Sequence, residues 1–245
     1  MTRVLVNGAL GRMGSITVNM LEASEDMELI AAVDVFSKGG AVCASLDEVR
    51  SDVDVVIDFS HHTLTPALLD WAAAKNAPVV LCTTGHDEGE RAAIEAAYAK
   101  IPVFFSANMS MGVALLAELA KKTADLFPDA DIEIVEAHHN RKLDAPSGTA
   151  LMLADAVREV RPEATLNLGR SGMGKRTPDE IGVHALRMGN LPGTHAVIVS
   201  TDNQSITLKH ETHDRALFAD GALAAARYMV GKPAGHYDMK SLVQE

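Results

Sequence analysis

The sequence predicts an α/β protein: a mostly parallel sheet over the first 109 residues, followed by an α+β unit built on a mixed or antiparallel sheet. Three observations predict it. The short apolar runs of the first stretch are continuous rather than alternating, so their strands are buried on both faces. Helical patterns separate those runs, as parallel crossovers require. After Ile181, strand-like runs follow one another without long helices between them.

Taken in order, Val4-Leu5-Val6 leads into a helical pattern carried by Met13, Ile16, Met20 and Leu21. Apolar runs at 29–33 and 53–59 come next. Leu64, Ala67, Leu68 and Trp71 then recur at i, i+3, i+4 and i+7, the spacing of one helix face. Val79-Val80-Leu81, a helical stretch over 87–100, and Val103-Phe104-Phe105 complete the series. Beyond Asn108 the spacing predicts a long helix over 112–126, a strand over 131–136 and a helix starting near Ser147. Strands follow over 183–187, 196–200 and 205–211, then a last helix over 216–230. Residues 169–182, with four glycines, Lys175 and Arg176, read as a mobile loop.

Composition narrows the function. Hydrophobic residues make up 47% of the chain but aromatics only 4%, so the core must rest on aliphatic side chains and 11 methionines. A net charge of -11 argues against a nucleic-acid partner, whose phosphates need a basic face. The same charge repels a small anionic ligand unless a local basic cluster receives it. Cys43 and Cys82 sit in no metal-binding or CxxC spacing, no run is long enough to span a bilayer, and no apolar leader precedes Val4; a cytoplasmic protein is expected.

Two motifs carry chemistry. In Asn7-Gly8-Ala9-Leu10-Gly11-Arg12-Met13-Gly14, three glycines lie between a strand and a helix. That is where a dinucleotide pyrophosphate needs bare backbone and unpaired helix N–H groups, which makes the first unit Rossmann-like. Asp34 follows the second strand, placed to accept hydrogen bonds from ribose hydroxyls and to repel a 2′-phosphate, which favours NADH over NADPH; Lys38 nearby keeps NADPH open. His61-His62 and Thr83-Thr84-Gly85 end two further strands, although for the histidines a solvated loop is the simpler reading. The second motif, Glu136-Ala137-His138-His139-Asn140-Arg141-Lys142-Leu143-Asp144-Ala145-Pro146-Ser147-Gly148-Thr149, places four cationic or titratable groups in five positions just before a helix start, with Ser147 as the N-cap. Such a patch suits a carboxylate ligand. Lys142 pairing with Asp144 is the structural alternative, and adjacent histidines on a strand point to opposite faces. A zinc site lacks accompanying Cys or HExxH.

This second stretch resembles the signature of the dihydrodipicolinate reductases of bacterial lysine and diaminopimelate biosynthesis. Residues 8–14, 82–85, Ser106-Ala107-Asn108-Met109 and 215–221 match that family's other motifs in order, so the resemblance covers essentially the whole chain. It implies a nicotinamide domain formed by 1–109 and 216–245, closed by the C-terminal helix. It also implies a substrate domain over 110–215 whose sheet assembles a homotetramer, and NAD(P)H-dependent reduction of a cyclic dicarboxylate without a metal. By the same resemblance His138 is the general acid/base and Lys142 a proton donor, while His139, Gly148 and Thr149 bind substrate and Arg215 supports its pocket. Gly8, Ala9, Leu10, Gly11, Arg12, Met13, Asp34, Cys82, Thr83, Thr84, Ser106, Ala107, Asn108 and Met109 line the cofactor. Two positions depart from the family: Cys82 stands where glycine is usual, and Val35 where some members carry an arginine for the 2′-phosphate. A related dehydrogenase of another small carboxylate, and a non-catalytic NAD(H) sensor, are the competing readings.

Overall fold

The computed structural model describes residues 1–244 and divides into two compact units, residues 1–110 with 216–244 and residues 111–215. In chain order, the first stretch holds β1 (Thr2–Asn7), α1 (Arg12–Glu22), β2 (Met27–Val33), β3 (Val42–Cys43), β4 (Val55–Asp58), α2 (Thr65–Lys75), β5 (Val79–Leu81), α3 (Glu88–Ala97) and β6 (Pro102–Phe105). Next come α4 (Met111–Leu126), β7 (Asp131–His138), α5 (Gly148–Arg158), β8 (Thr165–Leu168), β9 (Glu180–Arg187), β10 (Thr194–Ser200) and β11 (Ser205–Glu211). The chain closes with α6 (Ala216–Met229), β12 (Gly235–Tyr237) and α7 (Met239–Val243).

The first unit is a seven-stranded sheet in the order β12-β6-β5-β4-β1-β2-β3, parallel throughout. Val4, Leu5, Val6, Val55, Val56, Ile57, Val79, Val80 and Leu81 are all fully buried, which is why these runs do not alternate. Helices α2 and α3 cover one face, where Leu68, Leu69, Ala72 and Ile94 meet Leu5, Val56 and Val79. Helices α1 and α6 pair on the other. Local signals fix the helix ends. Asp87 and Glu90 form a capping box at the start of α3, and Asn76, in the left-handed region at φ +52, ends α2. Strand order reverses between β1's two neighbours, β2 and β4, so a crevice opens beyond the carboxyl ends of β1 and β4.

The second unit is a mixed sheet ordered β11-β10-β7-β9-β8, with β7, β9 and β8 mutually parallel and β10 and β11 antiparallel. Here burial alternates: on β7, Ile132, Ile134, Glu136 and His138 face inward and their neighbours do not. The inward face packs on α4 and α5 through Ile132, Ile134, Leu153, Val157, Ile181 and Val197.

Three short strands, β3, β8 and β12, have no counterpart in the sequence reading. Each lies at a sheet edge or is only two to four residues long, so it exists because a neighbour's backbone is there to pair with. The expected loop also ends earlier, at Asp179, since β9 begins at Glu180. It is pinned as well: the Arg176 Nε donates to Asp131 Oδ1 at 2.7 Å, its Nη2 to the Ile132 carbonyl at 3.0 Å, and Nη1 meets Glu133.

Helix α6 seals the first unit through a glycine. A Cβ on Gly221 would lie 1.7 Å from the Met109 carbonyl oxygen, so only glycine lets the helix reach the turn after β6. Gly221→Ala is expected to cost about 1–3 kcal/mol, an overpacking against backbone that cannot retreat, read as a fall in the urea midpoint. An unchanged midpoint would show that the turn yields.

Candidate functional site

In the first unit the glycine turn is built for close approach. Gly8 adopts φ +78, and a Cβ there would come within 2.6 Å of the Phe59 carbonyl and the Ser60 nitrogen; one on Gly14 would sit 2.0 Å from the Gly8 oxygen. The bare turn therefore lies against the end of β4 and beneath α1, whose first-turn N–H groups lack intrahelical partners. Asp34, 6% exposed, ties this turn to the exit of β2: Oδ2 accepts from the Leu10 N–H and Oδ1 from the Phe36 N–H, each at 2.9 Å. A cavity of about 330 Å³ opens here, walled by Gly8, Leu10, Asp34, Val35 and Phe36. A second, of about 270 Å³, gathers Met13, Cys82, Ala107, Asn108 and Met109 with Phe59 and Phe218. Bare backbone, a carboxylate at one cavity and an apolar slot at another are the features a nicotinamide dinucleotide needs, so the residues present fit that group.

Individual residues divide. Gly11 and Arg12 are exposed at the helix start, Ala9 is buried beneath the turn, and Ser106 Oγ braces the next loop by donating to the Asn108 carbonyl at 3.0 Å. Thr83 is spent internally: its hydroxyl donates to Asp58 Oδ2 at 2.6 Å, leaving Thr84 as the exposed member of the pair. Asp58 is a functional candidate that sequence reasoning missed. Fully buried, it also accepts from Asn7 Nδ2 at 2.7 Å and from the Ser60 N–H at 3.4 Å, so one carboxyl joins the ends of β1, β4 and β5. Burial raises its pKa, with those hydrogen bonds pulling the other way. Burial, with the Asp58 charge behind it, also raises the Cys82 thiol well above its ordinary value, so Cys82 serves as a neutral wall of the slot. His61 caps the next turn, with Nδ1 2.9 Å from Thr63 Oγ1, and His62 pairs with Glu90 at 2.7 Å.

In the second unit, sheet register assembles the site. Along β7, Glu136 and His138 share the covered face; β10 sets His195 opposite Glu136, and β9 sets Arg187 opposite His138. Glu136 is fully buried. Its Oε2 lies 2.5 Å from His138 Nδ1, Arg187 grips both oxygens at 2.9 and 2.7 Å, and Oε1 accepts from the Ser147 N–H at 3.0 Å. Burial works to raise the Glu136 pKa, but Arg187, His138 and the Ser147 amide more than offset it and hold the carboxyl below its usual range. Ser147 caps α5 as expected, accepting from the Ala150 N–H, while Gly148 is exposed in open space and Thr149 half-buried at the first turn. Lys142 pairs with Asp144 at 2.9 Å, the structural alternative to a free ammonium, and lowers the Asp144 pKa. His139, on the other side of the backbone from His138, has its pKa lowered by burial and by the nearby charges of Arg141 and Arg215; Arg215 is itself exposed. His195 was also missed. Its ring meets His138 edge-on at 5.1 Å, Nε2 lies 3.2 Å from Ser147 Oγ, and burial, with the His138 charge added, pushes its pKa down to about 4. Glu136 stood inside the recognised stretch without a role; Arg187 and His195 come from distant strands and carry no local signal.

Among the described residues no group of three or more His, Cys, Asp or Glu could hold a metal ion, and no helix is long and apolar enough to cross a membrane.

The family model described as dihydrodipicolinate reductase, N-terminus, matches residues 2–109, and the one described as dihydrodipicolinate reductase, C-terminus, matches 112–243. The chain is 43% identical over 249 aligned positions to the 4-hydroxy-tetrahydrodipicolinate reductase of Caldanaerobacter subterraneus subsp. tengcongensis, covering 100% of this chain and 99% of that one. It is 41% identical to the protein of the same name from Clostridium tetani, covering 99% and 97%. In fold it is similar to a dipicolinate-bound dihydrodipicolinate reductase from a Paenisporosarcina species, with a TM-score of 0.79, 24% identity and 97% of each chain covered.

The buried, neutral His195 makes acid stability testable. Its folded pKa of about 4 lies below the unfolded 6.5, so its contribution is complete above about pH 6.5 and is lost as pH falls toward 4, where the unfolded chain takes the proton first. The His138 ring, Glu136, Lys142 and His210 are the groups facing it. Wild-type protein is expected to lose on the order of 3 kcal/mol across that window. A His195→Gln variant should lose less, by urea unfolding at pH 7 and pH 4.5; equal losses would remove His195 as the cause.

Proposed function

The chain belongs to the dihydrodipicolinate reductase family, and on that footing we propose that it reduces 4-hydroxy-tetrahydrodipicolinate to tetrahydrodipicolinate, with loss of water, in the diaminopimelate route to lysine. The observation that carries the site assignment is a buried imidazole, His138, held by Glu136 beside the N-terminus of α5 in a chain whose net charge is otherwise strongly negative.

When bound, the reduced nicotinamide supplies the hydride that C4 of the substrate ring gains once the 4-hydroxyl has left as water. The first unit holds the dinucleotide: the 8–14 turn receives the pyrophosphate, Asp34 the adenosine ribose, and Cys82, Thr84 and 106–109 flank the nicotinamide. Asp34, whose carboxylate lines the cavity, disfavours a 2′-phosphate, and Val35 offers no cation in compensation, so NADH is the preferred donor. The second unit holds the substrate. Backbone N–H groups at Gly148 and Thr149 take one carboxylate, with Arg215 contributing positive charge and His139, its pKa lowered, a neutral imidazole. His138 delivers a proton to C3, and the Lys142 ammonium, released from Asp144, balances the negative charge that develops on the ring.

The uncovered face of the second sheet carries Val135, Ala137, Ala196 and Ile198 half-exposed with Leu186 beside them, an apolar surface suited to a second copy of the same sheet and so to a homotetramer. Cys43 and Cys82 are both free thiols, consistent with a cytoplasmic enzyme.

NADH oxidation coupled to enzymatically made 4-hydroxy-tetrahydrodipicolinate tests the reading. His138→Gln is expected to lower kcat by roughly 10²- to 10⁴-fold and Lys142→Ala by a similar order; near-normal turnover in either removes that residue from the chemistry. Asp34→Ala should weaken NADH more than NADPH in dissociation constants measured by nicotinamide fluorescence. Equal weakening of both sinks the preference.

A further inference from the structure

We propose that Glu136, clamped by Arg187, is the positioning residue for the proton donor: it fixes the His138 tautomer and seats the donor and the start of α5 as one unit. The inference rests on the reading of His138 as the acid.

A fully buried carboxylate has four lone-pair sites and no water to fill them, so each donor it finds is held in place. Glu136 finds three, from three places in the fold. Arg187 on β9 approaches end-on with both terminal nitrogens, a fork that neutralises the charge and fixes the carboxylate plane. The Ser147 N–H takes Oε1 and so sets where α5 begins. His138 remains, at 2.5 Å from Oε2. An acceptor-only group this close to Nδ1 requires the proton to sit on Nδ1, which makes Nε2 the nitrogen that exchanges its proton. Among the described residues nothing hydrogen-bonds to Nε2, and the neighbour on that side is Gly193, where a Cβ would come within 3.1 Å of it. The absent side chain keeps the exchanging nitrogen clear.

Charge follows the same geometry. The groups facing the His138 ring are Glu136 on its own strand, Arg187 from β9, His195 from β10 with His210 behind it, and Lys142, Asp144 and His139 from the loop that follows β7. His195 is held neutral by burial, and Lys142 has Asp144 as its counter-ion. Glu136 is therefore the one anion in contact with the ring.

Glu136→Gln tests this with little change in shape. The amide oxygen can keep the Ser147 bond, but its NH₂ then meets His138 Nδ1–H and Arg187, donors against a donor, which drives the imidazole to the other tautomer and removes the anion. We expect kcat to fall roughly 10²-fold with KM for the substrate within about threefold. The basic limb of the kcat profile should move to lower pH, because the imidazolium has lost its counter-charge. An unmoved limb with an unchanged kcat overturns the proposal. Should Arg187, left unpaired, prevent folding, the double variant Glu136→Gln with Arg187→Met removes both charges; a double variant that recovers wild-type kcat shows the pair to be purely structural and overturns it too.

A readout independent of turnover is the ring ¹⁵N spectrum of histidine-labelled wild-type protein, with the His138 signals assigned through His138→Gln. Protonated Nδ1 and bare Nε2 in the neutral ring support the proposal, and the opposite tautomer overturns it. If the wild-type protein shows the expected tautomer yet does not reduce the substrate, the functional reading falls and the positioning role stands.

Discussion

A carboxylate removed from water must find donors inside the protein, and in each unit of this chain that single demand organises the ends of several strands. In the second unit Glu136 collects Arg187, His138 and the Ser147 amide; in the first, Asp58 collects Thr83, Asn7 and Ser60. Neither group could be left half-satisfied, since an unpaired buried charge costs several kcal/mol. The loops that supply the donors are therefore held in one arrangement, and they are the loops to which the proposed chemistry is assigned.

The two carboxyls differ in how they are neutralised, and that difference matters. Glu136 has a guanidinium across both oxygens and stays ionised at a low pKa, an anion available to an imidazole. Asp58 has only neutral donors, and burial moves its pKa up, so it ties the strands together while adding less charge beside a dinucleotide that is itself anionic. In a protein of net charge -11, this local handling of charge lets an acidic molecule receive two anionic ligands.

Much of the fold was legible in the sequence. Unbroken runs such as Val4-Leu5-Val6 and Val79-Val80-Leu81 announced strands covered on both sides, and the Ser147 cap announced a helix start, because these signals act within a few residues. The edge strands β3, β8 and β12 were not legible, since a strand of two to four residues is defined by its partner's backbone. The loop read as mobile carried its own correction, Arg176, but its targets Asp131 and Glu133 lie over forty residues earlier.

The site divides along the same line. By itself the sequence determined the glycine turn, Asp34 and the stretch from His138 to Thr149, all close in the chain and limited to few residue types by backbone clearance, charge and helix capping. Only the tertiary structure decided that Thr83 would be consumed by Asp58, that Lys142 would rest on Asp144, and that Arg187 and His195 would flank His138. Those outcomes depend on which strands lie side by side and in what register, and register is set by the summed burial of whole sheets rather than by any local run of residues.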